Sequence, residues 1–388
     1  MKITRRLFAF FALTASLAVL ALGSAVSKPA ASHSYLALVG TYTSKTDSKG
    51  IYAYEFDAET GQLAAKGLAA ETRDPSWLVI HPNGEFVYAA NESGKQSAIS
   101  SFALDAQSGK LTFLNQIPAL GEDPCYLSVE NTGKYLFVAN YTSGNVVVFS
   151  ILADGKLGEH TALVTDAGTP GPNKARQEGP HAHWVQVSTD NRFVFVADLG
   201  LDEILTYRLD STRGSLVPNK PFFVRPLAAG AGPRHAVSSP DGRHFYVLSE
   251  INSTVTAFAY APKHGVFGYL GVVPMLPAGF EGRNDAAEIA VHPSDKWLFA
   301  SNRGHDSIAV FSIDAATGKL KPAGDFPTGG KEPRHFAIDP TGRFLLAENQ
   351  LSNSIVVFGI DSATGALTQV SKTDGVPSPV CLVFLPTP

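Results

Sequence analysis

The sequence predicts an all-β fold, a seven-bladed β-propeller closed by pairing of its N- and C-terminal strands in one blade, on three observations. A tight turn ending in Gly-x-Leu recurs at Gly61, Gly109, Gly155, Gly214, Gly318 and Gly365, with a degenerate seventh copy at Gly265. A second turn of the form His81-Pro82-Asn83-Gly84 recurs at 130–133, 188–191, 239–242, 292–295 and 339–342. Each copy of the second turn is followed by a short apolar strand.

The first turn sets the period. Its seven glycines are separated by 48, 46, 59, 51, 53 and 47 residues, room each time for four short strands and their connections. Glycine suits such a turn because the tight reversal needs a positive φ that costs a residue without Cβ nothing. The strands after the second turn, such as Phe86–Ala90, Tyr135–Ala139, Phe193–Ala197 and Phe344–Ala347, are nearly continuous apolar runs. Runs of that length between turn signals read as strands buried on both faces. The seventh first strand falls at Pro379–Leu385, and Tyr35–Arg73 supplies the rest of that blade. Sharing one blade between the chain ends closes a ring and leaves no long open edge to aggregate.

Composition agrees. Charged residues are 17% of the 388, against 44% hydrophobic, with 35 glycines and 25 prolines, which excludes coiled coils and highly charged disorder. A net charge of −4 without a long basic run gives no footprint for nucleic acid. Cys125 and Cys381 lack metal or redox spacing and read as buried small hydrophobes.

Residues 1–25 carry Lys2, Arg5 and Arg6, a 16-residue apolar stretch from Leu7 to Leu22, and small residues at Gly23-Ser24-Ala25. That is the grammar of a cleaved signal peptide, and Thr4-Arg5-Arg6-Leu7-Phe8 is similar to the twin-arginine export motif. The stretch is short for a membrane span of about 20 residues. The expected organisation is a signal at 1–25, a linker at 26–34 and the propeller at 35–388. The mature protein is expected in the periplasm or secreted, without stable membrane insertion.

In an antiparallel blade the start of strand one, the end of strand two and the crossover to the next blade share one face of the disc. Both turn series lie on the other face, so departures from the repeat on the first face are the candidates for function. The start of strand one carries Ser76, Cys125, His183, Arg234, Ala287, Arg334 and Val380, blade by blade. The end of strand two carries Glu92, Tyr141, Leu199, Glu250, Arg303 and Gln350. Arginines near the inner strands are costly to desolvate unless an anion compensates them, which suits a carboxylate- or phosphate-bearing ligand. The alternative is a salt-bridge ring with Glu92, Glu250 and Glu288 that only stiffens the channel. Asn91, Asn140, Asp198, Ser249, Asn302 and Asn349 recur just before the second ring and read as strand-end hydrogen bonding. The crossovers Glu159–Gly179 and Gly271–Asp285 are expected to form pocket rims.

At Gly179-Pro-His-Ala-His183, Ala197-Asp-Leu-Gly-Leu-Asp202, Gly232-Pro-Arg-His235, Ser249-Glu250, Ser301-Asn-Arg-Gly304 and Pro333-Arg334 the sequence resembles the propeller-type lactonase family. That family includes 6-phosphogluconolactonases of the propeller kind and fungal carboxymuconate cyclases. The resemblance implies a lactone hydrolase that uses no cofactor and no metal, with His183, Glu250, Arg234 and Arg303 as catalytic residues. His181, two residues before the matched histidine, is the alternative. His181, Asp198, His235, Glu288, Arg334 and Gln350 are the candidates for binding the substrate, a small anionic or sugar lactone. A metal-dependent lactonase built on His181, His183, Asp198, Glu250 and Glu288 is disfavoured by the arginines, which repel a hard cation. The remaining alternatives are a carboxymuconate-type cycloisomerase and an exported binding propeller without activity.

Overall fold

The computed structural model describes residues 34–224 and 228–386. The expected signal at 1–25 and nearly all of the linker at 26–34 lie outside the described residues.

Seven four-stranded antiparallel sheets are present. Six are consecutive in sequence. The seventh places Pro379–Pro386 beside Ser34–Thr41, followed by Gly50–Asp57 and Gln62–Glu71. Its register pairs Leu36 with Leu385, Leu38 with Val383 and Gly40 with Cys381, so the chain ends share one blade as expected. The innermost strands touch in cyclic order, from Pro379–Pro386 to Pro75–Ile80 and onward until Pro333–Ile338 meets Pro379–Pro386 again.

The second strands are the most enclosed. All six residues of Tyr135–Asn140, Phe193–Asp198, His244–Ser249 and Phe344–Asn349 are buried, as their apolar runs require. Outer strands such as Gln62–Glu71 are largely exposed. Seven apolar clusters fill the seams between blades. Leu36, Ile51 and Phe102 pack the closing blade on its neighbour, and Phe56, Phe344 and Ile355 seal its other side. Each fully buried large side chain contributes about 1.5–3 kcal/mol, so the ring is held by its seams.

One contact links the two turn series. Gly155, at a φ of 79°, lies against the ring of Phe86, which opens the second strand of the preceding blade, and an added Cβ would collide with that ring. Gly214 meets Tyr135 in the same way. The Tyr88 hydroxyl adds a hydrogen bond to the Gly155 carbonyl at 3.1 Å. The glycine of one turn is thus the seat for the aromatic that follows the other. Cys125 and Cys381 are both buried and free.

Candidate active site

All seven inner strands carry a β-bulge at the same place. Register shifts between Pro75 and Trp77, Pro124 and Tyr126, Ala182 and Trp184, Pro233 and His235, Ala286 and Ile289, and Pro333 and His335 leave an extra residue on the inner strand. In the closing blade the shift falls between Cys381 and Pro379. A bulge leaves its extra residue unpaired and re-aims the side chain. The residues so released include Cys125, His183, Arg234 and Arg334; Cys125, His183 and Arg334 line one cavity of about 390 Å³ at the hub, and Arg234 is buried beside it. The ends of the second strands add Glu92, Tyr141, Glu250 and Arg303 to its wall.

Glu250 is the centre of the charge arrangement. It is 3% exposed, and its Oε2 lies 2.9 Å from Arg234 Nε and 3.0 Å from Arg303 Nη2. The Arg234 Nε contact is an ion pair without an aligned hydrogen bond. Oε1 of Glu250 meets Arg176 Nη2. Burial alone would raise the Glu250 pKa, but Arg303, Arg234 and Arg176 override it and hold the carboxyl well below the usual carboxylate range. Arg303 is fixed further by Nε donating to the Asp285 carbonyl at 3.1 Å, and Arg234 by Nη1 donating to the Ala287 carbonyl at 2.5 Å. Burial and the neighbouring Arg303 and Arg334 bring Arg234 down to about 10, which still leaves it charged at neutral pH.

Arg334 differs. Among the described residues its guanidinium makes no hydrogen bond or ion pair, and it lies 5.3 Å over the Tyr42 ring. Tyr42 donates its hydroxyl to Glu92 Oε2 at 2.7 Å. Arg334 therefore presents a set of N–H donors to the cavity with no protein acceptor committed to them.

His183 is 5% exposed, with Nδ1 3.6 Å from Cys125 Sγ and no protein partner for Nε2 among the described residues. Burial, then the charge of Arg234, lowers its pKa well below the ordinary histidine value, so the ring is neutral at neutral pH. Burial pushes the Cys125 thiol up, which leaves it protonated and no nucleophile.

The structure thus brings His183, Glu250, Arg303 and Arg334 together on the wall of one cavity, with Arg234 buried against Glu250 outside the lining. It does not bring the other sequence candidates to the cavity wall. His181 stacks on Tyr141 at 4.6 Å and donates its Nδ1–H to the Tyr141 carbonyl at 3.0 Å. Asp198 accepts the His181 and Leu201 backbone N–H groups, both at 2.9 Å, which ties down the crossover. His235 and Glu288 pair at 3.0 Å in a buried layer that continues through Glu288 and His335 at 3.6 Å to Glu348, 2.6 Å from His335. Trp77 closes that layer, with its ring 5.3 Å from both His235 and His335. Gln350 opens a short helical turn outside the cavity lining. The recurring asparagines act as expected: Asn140 and Asn349 donate to the Ala119 and Thr328 carbonyls at 3.3 and 3.2 Å.

Four wall residues were absent from the sequence candidates: Tyr42, Arg176, Arg283 and Asp285. Tyr42 follows Ser34–Thr41 as Glu92 follows Phe86–Asn91, so it is the closing blade's member of the second ring. No turn precedes that strand to announce it. The other three come from the two long crossovers, which follow no repeat.

A closed seven-bladed disc with a cation-rich, carboxylate-centred hub cavity places the chain among the β-propeller proteins with a polar site at the hub. Residues 36–384 match the family described as lactonase, 7-bladed beta-propeller. The chain belongs to that family. It is 36% identical over 351 residues to the 6-phosphogluconolactonase of Bacillus subtilis, which covers 90% of this chain and 98% of the relative. It is 34% identical over 308 residues to the 6-phosphogluconolactonase of Formosa agariphila, covering 77% of this chain and 84% of that one. Among solved structures, the Pseudomonas aeruginosa periplasmic gluconolactonase superposes with a TM-score of 0.86 at 33% identity, over 92% of this chain and 100% of the other.

Proposed function

We propose that the protein hydrolyses a sugar lactone with its own side chains. The observation that carries this reading is that a neutral histidine with a free Nε2 and an uncommitted guanidinium, Arg334, share a cavity with a carboxylate held ionised by arginines. In lactone hydrolysis a water oxygen bonds to the ring carbonyl carbon, and the ring C–O bond breaks. His183 Nε2 takes the proton from the attacking water and returns one to the departing ring oxygen, a role that contributes about 10²–10⁴-fold. Arg334 receives the negative charge that develops on the carbonyl oxygen, an interaction made fully only in the transition state. Glu250 stays anionic throughout. It fixes Arg234 and Arg303 and stabilises the imidazolium that forms on His183.

Export bears on the substrate. A protein with a cleaved signal at 1–25 meets lactones outside the cytoplasm, so the substrate is an unphosphorylated or carboxylated sugar lactone rather than a cytoplasmic sugar phosphate. The P. aeruginosa neighbour, named periplasmic and a gluconolactonase, supports this reading. The test is a pH-stat screen of purified protein on neutral, carboxylated and phosphorylated sugar lactones. Rates above spontaneous opening are expected, and their absence on every lactone overturns the proposal. Fractionation of expressing cells checks the location, where a full-length cytoplasmic product contradicts export.

A further inference from the structure

Among the described residues, Arg176 is the cavity arginine that reaches Glu250 from a crossover. It lies in the crossover between Leu157–Thr165 and Ala182–Val187, not on a blade. Its backbone is fixed: Arg176 N donates to the Asn173 carbonyl at 3.0 Å. The next residue, Gln177, is fully buried, with Nε2 on the Leu199 carbonyl at 2.8 Å and on Asp202 Oδ1 at 2.7 Å. The side chain, 32% exposed, leans over the cavity mouth to Glu250 Oε1, with Nη1 3.4 Å from Asp285 Oδ1. Asp285 is held in turn by Arg283, whose side chain is 85% exposed and whose Nε lies 2.9 Å from Asp285 Oδ2.

The two oxygens of Glu250 therefore have different company. Oε2 is taken by Arg234 and Arg303, at 3% and 11% side-chain exposure, both anchored on carbonyls. Oε1 has Arg176, the most exposed of the three arginine partners of Glu250. An ion pair with one part-exposed member is the cheaper to exchange, because water already screens it. A guanidinium matches carboxylate and phosphate oxygens two at a time, so a charged substituent on an incoming lactone can replace what Arg176 gives up. The cavity wall carries four guanidinium groups against three carboxylates, which leaves room for ligand negative charge.

We propose that Arg176 is the specificity-determining residue of this site: it exchanges Glu250 Oε1 for an anionic substituent, carboxylate or phosphate ester, at the end of the lactone remote from its carbonyl. The exchange leaves Oε1 open to hold the attacking water beside His183. Recognition of the remote anion thereby prepares the reacting end, so binding energy from a non-reacting group is used at the chemistry. This inference rests on the lactonase reading above.

The test compares kcat/KM of wild type, Arg176→Gln and Arg176→Lys on D-glucono-1,5-lactone, D-glucaro-1,4-lactone and 6-phospho-D-glucono-1,5-lactone, with circular dichroism to confirm folding. Wild type is expected to prefer at least one of the anionic lactones over the neutral one, and whichever it prefers names the substituent. In Arg176→Gln the anionic-to-neutral ratio of kcat/KM is expected to fall about ten- to a hundredfold, chiefly through KM, the size of one charge-assisted contact. Arg176→Lys is expected to recover part of the ratio. An unchanged ratio in Arg176→Gln, or a wild type indifferent to charge, overturns the inference. A wild type that opens none of the three lactones overturns the lactonase reading instead.

Discussion

The Arg334 guanidinium lies 5.3 Å above the centre of the Tyr42 ring and, among the described residues, pairs with no carboxylate. Arg334 comes from a bulge on the inner strand Pro333–Ile338, and Tyr42 ends the second strand of the adjoining closing blade. The face of an aromatic ring supports a cation without consuming its N–H donors. Arg334→Gln is expected to lower kcat of lactone opening by about 10²–10³-fold, the usual effect of removing one oxyanion donor, with the thermal midpoint little changed. A drop confined to KM contradicts the assignment.

His183→Gln is expected to lower kcat by about 10²–10⁴-fold. The pH profile gives a second check. Burial and Arg234 lower the His183 pKa, so its neutral form persists below the ordinary histidine range, and the acid limb of kcat/KM falls below pH 6.5. Arg334 also lowers it, so in Arg334→Gln that limb moves upward. Steady-state rates from pH 4 to 8 read both. An acid limb at or above 6.5 in wild type contradicts the neutral-histidine mechanism.

The turn glycines allow a paired stability test. Gly155→Ala places a Cβ against the Phe86 ring at a φ of 79° and is expected to cost about 2–4 kcal/mol, combining left-handed strain with overpacking. Gly242 has a similar φ of 69° but open space where its Cβ would go, so Gly242→Ala is expected to cost only about 1–2 kcal/mol. Urea unfolding measures both. Equal costs contradict the seat-and-ring explanation of the repeat.

Asp166, at the start of the crossover that carries Arg176, and Asp198 are both buried, and the Asp198 charge acts on Asp166. Burial, then the charge of Asp198, raises the Asp166 pKa well above the ordinary value, while Asp198 accepts two backbone N–H groups. A carboxyl whose pKa rises on folding contributes stability below its unfolded pKa and loses it as pH climbs through the folded one. Asp166→Asn removes that loss. Its unfolding free energy in urea relative to wild type is expected to increase between pH 5 and pH 9, by about 1.4 kcal/mol for each unit of pKa difference relieved. A constant offset across that range contradicts the raised Asp166 carboxyl.

The blade architecture is legible in the sequence because one contact recurs. A glycine at positive φ under an aromatic leaves two synchronised signals, and where the second turn lacks glycine it uses Asn191 and Asp295, at φ of 55° and 59°, residues that tolerate the same backbone. The hub cavity is legible where it interrupts that pattern: His183, Arg234 and Arg334 stand at the bulge that elsewhere carries Ser76, Ala287 or Val380. Depth is what the pattern does not carry. Arg234 and His235 are adjacent, yet one pairs with Glu250 and the other joins Glu288 in the layer behind it, because the bulge between Pro233 and His235 resets the alternation. Arg176, Arg283 and Asp285 come from crossovers whose conformation is set by tertiary hydrogen bonds such as those of Gln177, and no repeat marks them.

The most direct measurement is the pH-stat rate of sugar-lactone opening by wild type and Glu250→Gln, both shown to be folded, with spontaneous hydrolysis subtracted. Wild type is expected to open the lactone, and Glu250→Gln, which strips Arg234 and Arg303 of their common anion, to be slower by at least about 10²-fold. Equal rates for the two proteins would contradict a reaction centred on the arginine-clamped carboxylate.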